Sequence, residues 1–147
     1  MAGLDTLTLL LEQAERARDE ALAAASEAQT RLARAQAQAD DLQNYQGEYH
    51  QRWQGQARSG LGIETLQCYQ NYGGRLREAI GQQGQLIQVL EARWQAQRTE
   101  LQERELRVAS LRKLIERRQA EALQKAHRQE QKLNDEWAAR SARLPKA

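Results

Sequence analysis

Apolar side chains recur along the first part of the chain with the seven-residue period of a coiled coil. In a heptad counted from Leu4, thirteen of the sixteen a and d positions between residues 4 and 56 are apolar, and most of these are alanine or leucine. A match over eight heptads predicts one long helix, over about 5–58, with Asp5 or Thr6 capping its start. The alanines in its seam predict that a partner helix approaches closely.

A glycine-containing turn, residues 59–62, follows this helix. Gly60 and Gly62 can both adopt positive φ, which stops a helix and reverses the chain. A second helix is predicted over about 63–143, with a weak point at 73–74, where two glycines adjoin. The pattern therefore predicts an all-α fold: two long helices in an antiparallel coiled-coil hairpin, forming a single coiled-coil domain over 1–147 with the second helix longer than the first.

The second helix has its own apolar seam, and this helix extends beyond the point at which the first helix can pair with it. The seam residues are Leu76, Ile80, Ile87, Leu90, Trp94, Leu101, Val108, Leu111 and Ile115. At about 1.5 Å per residue, helix one spans roughly 80 Å and is exhausted near residue 117, so roughly 25 residues have no partner within the chain. Apolar residues there recur every eleven positions, which removes left-handed supercoil. We expect a docking segment; the alternative is a solvated, fraying end.

Tyrosine and amide side chains near the turn form matching stripes on the two helices. The first stripe comprises Gln38, Leu42, Tyr45 and Tyr49, and the second comprises Tyr72, Leu76, Ala79 and Gln83. Both follow the spacing i, i+4, i+7, i+11, so an antiparallel hairpin brings them side by side. Tyrosines at a seam edge bury a ring and leave a hydroxyl free, which suits a protein-binding surface. Alternatively, these rings fill space beside the turn.

Charge is unevenly divided between the two predicted helices. Residues 1–58 carry 6 basic and 9 acidic side chains, a net charge of −3, and the remainder carries 16 and 11, a net charge of +5. These opposite charges favour pairing of the two halves, although salt screens them over about 10 Å. Arg112-Lys113 and Arg117-Arg118 form a basic cluster that could meet phosphates, but interspersed glutamates dilute it, so nucleic-acid binding is the less favoured function.

The sequence contains no motif typical of catalysis, of nucleotide binding or of metal binding. No phosphate-binding loop occurs, and His50 and His127 lie far apart without ligand-spaced partners. We therefore expect no enzyme activity, no cofactor, no metal, no small-molecule substrate and no nucleic-acid ligand. The absence of an apolar run of membrane-spanning length and of a signal peptide predicts a cytoplasmic protein. The single cysteine, Cys68, agrees with a reducing compartment but has no role that the sequence reveals.

Four segments together resemble the flagellar FliJ family of type III export proteins. They are the start Leu4 to Leu11 followed by Ala14-Glu15, the run Tyr45-Gln46-Gly47-Glu48-Tyr49, the stretch Ala79-Ile80-Gly81-Gln82-Gln83, and the ending Glu130-Gln131-Lys132 to Arg140 with its Asp135-Glu136-Trp137. They occur in the family's order and cover nearly the whole chain. The resemblance implies a non-enzymatic cytoplasmic component of flagellar biogenesis, motility and chemotaxis, peripherally associated with the inner face of the cell membrane at the flagellar base.

The resemblance also implies partners and the surfaces that bind them. Family members resemble the stalk of rotary ATPases, couple the hexameric export ATPase ring to the membrane export gate, and handle export chaperones. By position, the gate-binding residues are those of the two stripes, with Gln83 departing from the basic or ring side chain expected there. The ring-binding residues are Leu4, Leu7, Leu11, Leu123, Leu133 and Trp137.

Glycines argue against a fully rigid second helix, because each glycine inside a helix lowers its stability by roughly 0.5–1 kcal/mol relative to alanine. Four of them, Gly73, Gly74, Gly81 and Gly84, lie early in the second helix. The sequence leaves open their effect on rigidity, the depth of insertion into the ring, the chaperone site and any rotation. The free chain is expected to be a monomer; the alternative function is a generic cytosolic coiled-coil tether or dimer.

Overall fold

The computed structural model describes residues 2–60 and 62–143, and that part of the chain consists of two α-helices without any strand. Helix α1 is Ala2–Ser59 and helix α2 is Ile63–Arg143. The prediction of an all-α chain with a longer second helix is therefore confirmed. Helix α1 begins before Asp5 and Thr6, so neither residue is its cap; Asp5 instead lies in the first turn. Its carboxylate there favours the positive end of the helix dipole.

Gly60 makes the chain reversal between the two helices. Its φ is +89°, and its N–H donates to the carbonyl of Ala57 at 3.4 Å. The prediction that a glycine ends α1 by adopting positive φ is confirmed at this residue alone, since no other described residue has positive φ. Gly62 instead lies directly before helix α2, and its carbonyl accepts the N–H of Leu66 at 3.0 Å, as the residue preceding a helix does. Leu61 and Leu144 to Ala147 lie outside the described residues.

The chain divides into two compact units, which we call the turn unit and the terminal unit. The turn unit is residues 20–102, and the terminal unit is residues 1–19 with residues 103–147. In the turn unit the two helices pack antiparallel around a core of Leu32, Ala35 and Leu90, flanked by Ile87 and Trp94. Ala21, Ala25 and Leu76 are also buried there. The alanines predicted in the seam of α1 thus contribute much of the buried surface.

The terminal unit pairs the start of α1 with a segment of α2 that runs in the opposite direction. Ala14 and Val108 are its buried side chains. Arg112 and Glu15 form an ion pair between the helices, with a nitrogen–oxygen distance of 3.4 Å. Arg117 and Glu121 form a second pair at 4.0 Å within α2. Two of the four cations in the basic cluster therefore have carboxylate partners, which reduces the cluster's attraction for phosphates.

Helix α2 continues through the glycines near its start. Residues 63–143 form one uninterrupted helix, and Gly73 and Gly74, the predicted weak point, are both half-buried within it. A methyl group added at Gly74, Gly81 or Gly84 would meet no atom within 4 Å, whereas one added at Gly73 would lie 3.2 Å from the ring of Tyr49. Gly73 is therefore the position on α2 where a side chain would crowd helix α1, through the ring of Tyr49.

Candidate partner-binding surfaces

Tyr49 is the centre of an aromatic cluster in the turn unit. Its hydroxyl donates a hydrogen bond to the backbone carbonyl of Tyr69, and its ring centroid lies 5.3 Å from that of Tyr69 and 4.9 Å from that of Tyr72. The tilted arrangement of these rings is the one that aromatic pairs favour. Because Gly73 has no side chain, the Tyr49 ring reaches the backbone of α2. The cluster therefore fixes how α1 and α2 pack in this part of the turn unit.

The environment of Tyr49 changes its acidity. Burial raises the pKa of the phenol above its usual value, and the neighbouring Tyr69 and Tyr72 act in the same direction. A hydrogen bond with the backbone of Gly73 acts to lower the pKa, but its effect is smaller than that of burial. The phenol is thus held in its neutral form, in which it can donate to the Tyr69 carbonyl.

The stripes that the sequence placed side by side do meet in the turn unit. At one end the rings of Tyr49 and Tyr72 pack together, and further along Gln83 donates to the side-chain oxygen of Gln38 at 3.2 Å and to the carbonyl of Ala35 at 2.9 Å. We call the eight residues the tyrosine stripe; they are Gln38, Leu42, Tyr45, Tyr49, Tyr72, Leu76, Ala79 and Gln83. These contacts agree with the prediction that the two halves of the stripe lie side by side on antiparallel helices.

The residues of the tyrosine stripe differ in what they present to solvent. Tyr45 and Tyr72 are 60% and 52% exposed, and Gln38 is exposed too, whereas Leu76 is buried. The remaining members are half-buried: Leu42, Tyr49, Ala79 and Gln83. Leu76 is thus a core residue, and Tyr45 and Tyr72 are the large side chains of the stripe that a partner can reach.

Tyr45 also borders a shallow acidic hollow. The other lining residues are Asp41, Asn44 and Glu48, all on helix α1. These carboxylates put negative charge next to the exposed ring, so the surface around Tyr45 favours basic or hydrogen-bond-donating groups on a partner.

A separate groove, which we call the aromatic groove, lies between the helices of the turn unit. It has a volume of about 210 Å³ and is lined on α1 by Gln46, Tyr49, His50 and Trp53. Tyr69, Gln70, Gly73 and Arg77 line it on α2. The hydroxyl of Tyr69 donates to the side-chain oxygen of Gln56, which holds that ring in place. The sequence pattern did not predict this groove, because it assigned Trp53 to the seam.

Residues 123–143 of the terminal unit form a helical segment without buried or half-buried side chains. Leu123, Leu133 and Trp137 are 70%, 61% and 71% exposed. Leu4, Leu7 and Leu11, at the other end of the chain, are instead half-buried. The predicted ring-binding residues therefore fall into two groups, of which only the group on α2 presents most of its apolar surface to solvent.

The described residues offer no site for metal chemistry. No group of three or more histidine, cysteine, aspartate or glutamate side chains within 2–60 and 62–143 is placed to hold a metal ion. In the same ranges, neither helix contains a segment apolar enough over a sufficient length to cross a membrane. Cys68 is an exposed free thiol.

A family comparison agrees with this description. The family model described as "Flagellar FliJ protein" matches residues 4–146, which is nearly the whole chain. The chain belongs to the FliJ family. Neither the curated proteins nor the solved structures gave a match. The resemblance inferred from the sequence is therefore confirmed, and this FliJ-family chain is a component of the flagellar protein export apparatus that associates with its machinery.

Membership of the FliJ family gives the exposed surfaces a context. A component of the export apparatus with exposed apolar and aromatic side chains at several places has surfaces of the kind that contact other proteins. The sequence singled out the tyrosine stripe and the apolar residues of 123–143, but missed the aromatic groove. The signal that could have found it is the set of ring residues Trp53, Tyr69 and Tyr49, all within about three helical turns of the chain reversal.

Proposed function

We propose that this FliJ-family chain couples the export ATPase ring to the membrane export gate and stimulates ATP hydrolysis without performing it. The observation that carries the proposal is the family match over residues 4–146, because it assigns the chain to the export apparatus. The two types of exposed surface on the chain then supply one contact for each partner. Export chaperones are proposed as further, transient partners.

The gate contact is proposed for the tyrosine stripe. Tyr45 and Tyr72 are its large exposed side chains, and tyrosine is among the residues that contribute most to binding at protein interfaces. In the same stripe, Leu76 is buried and Gln83 is held by hydrogen bonds to Ala35 and Gln38. The Tyr72 ring packs on that of Tyr49, and a ring already held in place loses little conformational entropy on binding, which favours affinity.

The ring contact is proposed for the terminal unit. Leu123, Leu133 and Trp137 present an apolar surface with no partner inside the described chain, and burial of that surface would contribute about 25 cal/mol per Å². Leu4, Leu7 and Leu11 are half-buried, so we assign them the supporting role of holding the start of α1 against α2. The gate contact would keep the chain at the inner face of the cell membrane.

The decisive experiment adds the purified chain to the purified export ATPase and to the cytoplasmic domain of the gate protein. The expected results are faster ATP hydrolysis, co-sedimentation with the ATPase and co-purification with the gate domain. Unchanged hydrolysis together with no association to either protein would refute the coupling function. Sedimentation of the chain alone, at several concentrations, tests the proposal that it is a monomer when free; a mass that doubles with concentration would favour a dimeric tether.

A further inference from the structure

The aromatic groove shares only Tyr49 with the surfaces proposed for the gate and ring contacts. On α1 it is reached through Gln46 and Trp53, whereas the tyrosine stripe presents Tyr45. Consecutive residues of a helix point about 100° apart, so Tyr45 and Gln46 face different sides of α1, and Tyr72 and Gly73 face different sides of α2. Of the stripe residues, Tyr49 alone lines the groove as well. The two surfaces therefore flank the same seam.

Trp53 gives the groove an unused hydrogen-bond donor. Its Nε1–H is shielded from solvent and has no acceptor among the described residues. A buried donor without a partner has lost its hydrogen bonds to water without compensation, and such groups in native proteins call for an explanation. An occupant that displaces the atoms covering this N–H and brings an acceptor oxygen to it would restore the hydrogen bond.

Arg77 gives the groove a positive charge. Its Nε donates to the carbonyl of Gly73 at 3.4 Å, and its guanidinium has no carboxylate partner among the described residues. None of the lining residues is acidic. The groove thus differs in sign from the hollow beside Tyr45, which Asp41 and Glu48 line. Guanidinium groups recognise carboxylates with paired hydrogen bonds, so the charge favours an acidic occupant.

The groove's size and rings indicate what accompanies the acidic group. A cavity of roughly 150 Å³ accepts a molecule the size of benzene, so a volume of about 210 Å³ fits one large aliphatic or aromatic side chain. The rings of Trp53, Tyr69 and Tyr49 line the groove and are well suited to pack against such a group. One anchor side chain with adjacent polar recognition is how short protein segments dock into grooves.

We propose that the aromatic groove binds a peptide segment of another protein, in which a carboxylate adjoins one large apolar side chain. The carboxylate pairs with Arg77, and the apolar side chain packs among the rings. The atoms that cover the Nε1–H of Trp53 move aside as the segment enters, so that one of its oxygens accepts a hydrogen bond from that N–H. This interface is additional to the coupling function and does not depend on it.

Three tryptophans make the proposal directly measurable. Trp53, Trp94 and Trp137 each give one indole N–H signal in a nitrogen–proton correlation spectrum, and Trp53→Phe identifies the first of them. The probe is the tripeptide N-acetyl-Glu-Leu-Asp-amide, titrated into the full chain to about 10 mM, a range that suits the weak binding of so small a ligand. The expected result is a saturable shift of the Trp53 indole signal while the signals of Trp94 and Trp137 stay in place.

Matched ligands and variants test each part of the recognition. N-acetyl-Gln-Leu-Asn-amide, which keeps the shape but lacks the charge, is expected to bind about three- to fivefold more weakly, as the worth of an exposed ion pair predicts. Arg77→Gln is expected to abolish that preference, and Arg77→Lys to retain part of it. Arg75→Gln is the control, because Arg75 is an exposed arginine two residues away that does not line the groove.

Several outcomes would overturn the proposal. Equal binding of the charged and uncharged tripeptides would show that the groove does not recognise a carboxylate. Equal shifts of all three indole signals would indicate non-specific contact. A saturable shift produced by acetate alone would indicate a simple anion site. Loss of gate binding in Arg77→Gln would show that the groove belongs to the gate surface, whereas its retention with loss of tripeptide binding separates the two interfaces.

Discussion

The ring of Tyr49 occupies the space that a side chain on Gly73 would need. A Cβ at Gly73 would lie 3.2 Å from Cε1 of Tyr49, closer than such contacts ordinarily come, whereas a Cβ at Gly84 would meet nothing within 4 Å. The two glycines lie in the same helix and in the same unit. Glycine at position 73 therefore serves the packing of α1 on α2, and glycine at position 84 serves no contact that the structure shows.

The first prediction compares alanine at these two positions. Gly84→Ala is expected to raise the free energy of unfolding by about 0.5–1 kcal/mol, since alanine loses less backbone entropy than glycine on entering a helix. Gly73→Ala is expected to gain less than this or to lose stability, because the Tyr49 ring must move. Urea unfolding followed by circular dichroism measures both. Equal gains at the two positions would show that the ring yields freely.

The second prediction concerns pH and the Tyr49 phenol. Since burial raises its pKa, the folded chain holds this proton more tightly than the unfolded chain, whose phenol titrates near pH 10. The contribution to stability is complete below pH 10 and is lost as the pH rises through the higher pKa of the folded state. Deprotonation also removes the donor to the Tyr69 carbonyl.

Tyr49→Phe isolates this effect from the other titrating groups. At pH 8 the variant is expected to be less stable by about 0.5–1.5 kcal/mol, the usual net worth of a hydrogen bond. The difference between the two proteins should shrink as the pH rises above 10, measured as urea midpoints in matched buffers. A difference that stays constant over that range would show that the Tyr49 hydroxyl contributes nothing through its proton.

The third prediction tests the tyrosine stripe as the gate surface. Tyr45→Ala combined with Tyr72→Ala is expected to weaken gate binding at least tenfold, since buried interface tyrosines commonly contribute more than 1 kcal/mol each. The helical signal should persist, because both side chains are more than half exposed. Leu86→Ala with Val89→Ala is the control, as it removes exposed apolar side chains of the same unit outside the stripe. Loss of helicity in the tyrosine variant would assign these rings to the core.

The fourth prediction tests residues 123–143 as the ring surface. Leu133→Asp combined with Trp137→Asp is expected to reduce the stimulation of ATP hydrolysis while changing the stability of the free chain by less than about 0.5 kcal/mol, as for exposed positions generally. Gln131→Asp with Ala138→Asp adds the same charge to neighbouring exposed positions and is expected to stimulate normally. Equal loss in both variants would point to charge alone as the cause.

The helices could be predicted from sequence because their cause is local and repeated. Thirteen apolar a and d positions over eight heptads favour one long helix, and the prediction does not depend on the helix propensity of any single residue. Gly60 supplies the positive φ that ends this helix. The equal spacing of the two stripes predicted that they lie side by side on antiparallel helices, and the hydrogen bond between Gln38 and Gln83 agrees with this. These features depend on spacing, which a sequence displays directly.

The aromatic groove depends instead on geometry between the helices. Trp53 occupies a seam position in the heptad, so the pattern predicts packing and is silent about the hydrogen bonding of its Nε1. The rotation of α2 about its own axis decides whether Leu76 faces a partner or the core. The spacing of residues in a stripe does not specify that rotation. The helix caps Asp5 and Thr6 were predicted wrongly because α1 extends past them to Ala2, without any break in the backbone.

The alanines in the seam of α1 have a consequence for how the turn unit opens. Buried alanines contribute only one methyl group each, and no large side chain in the described ranges is fully buried. Stability is therefore spread thinly along the length of the seam, and no single layer holds the others in place. Backbone amides around Leu32, Ala35 and Leu90 should exchange their hydrogens most slowly, with protection falling off gradually in both directions. Such a chain can separate a few turns of helix at a time, which lets a partner enter the seam without unfolding the whole unit.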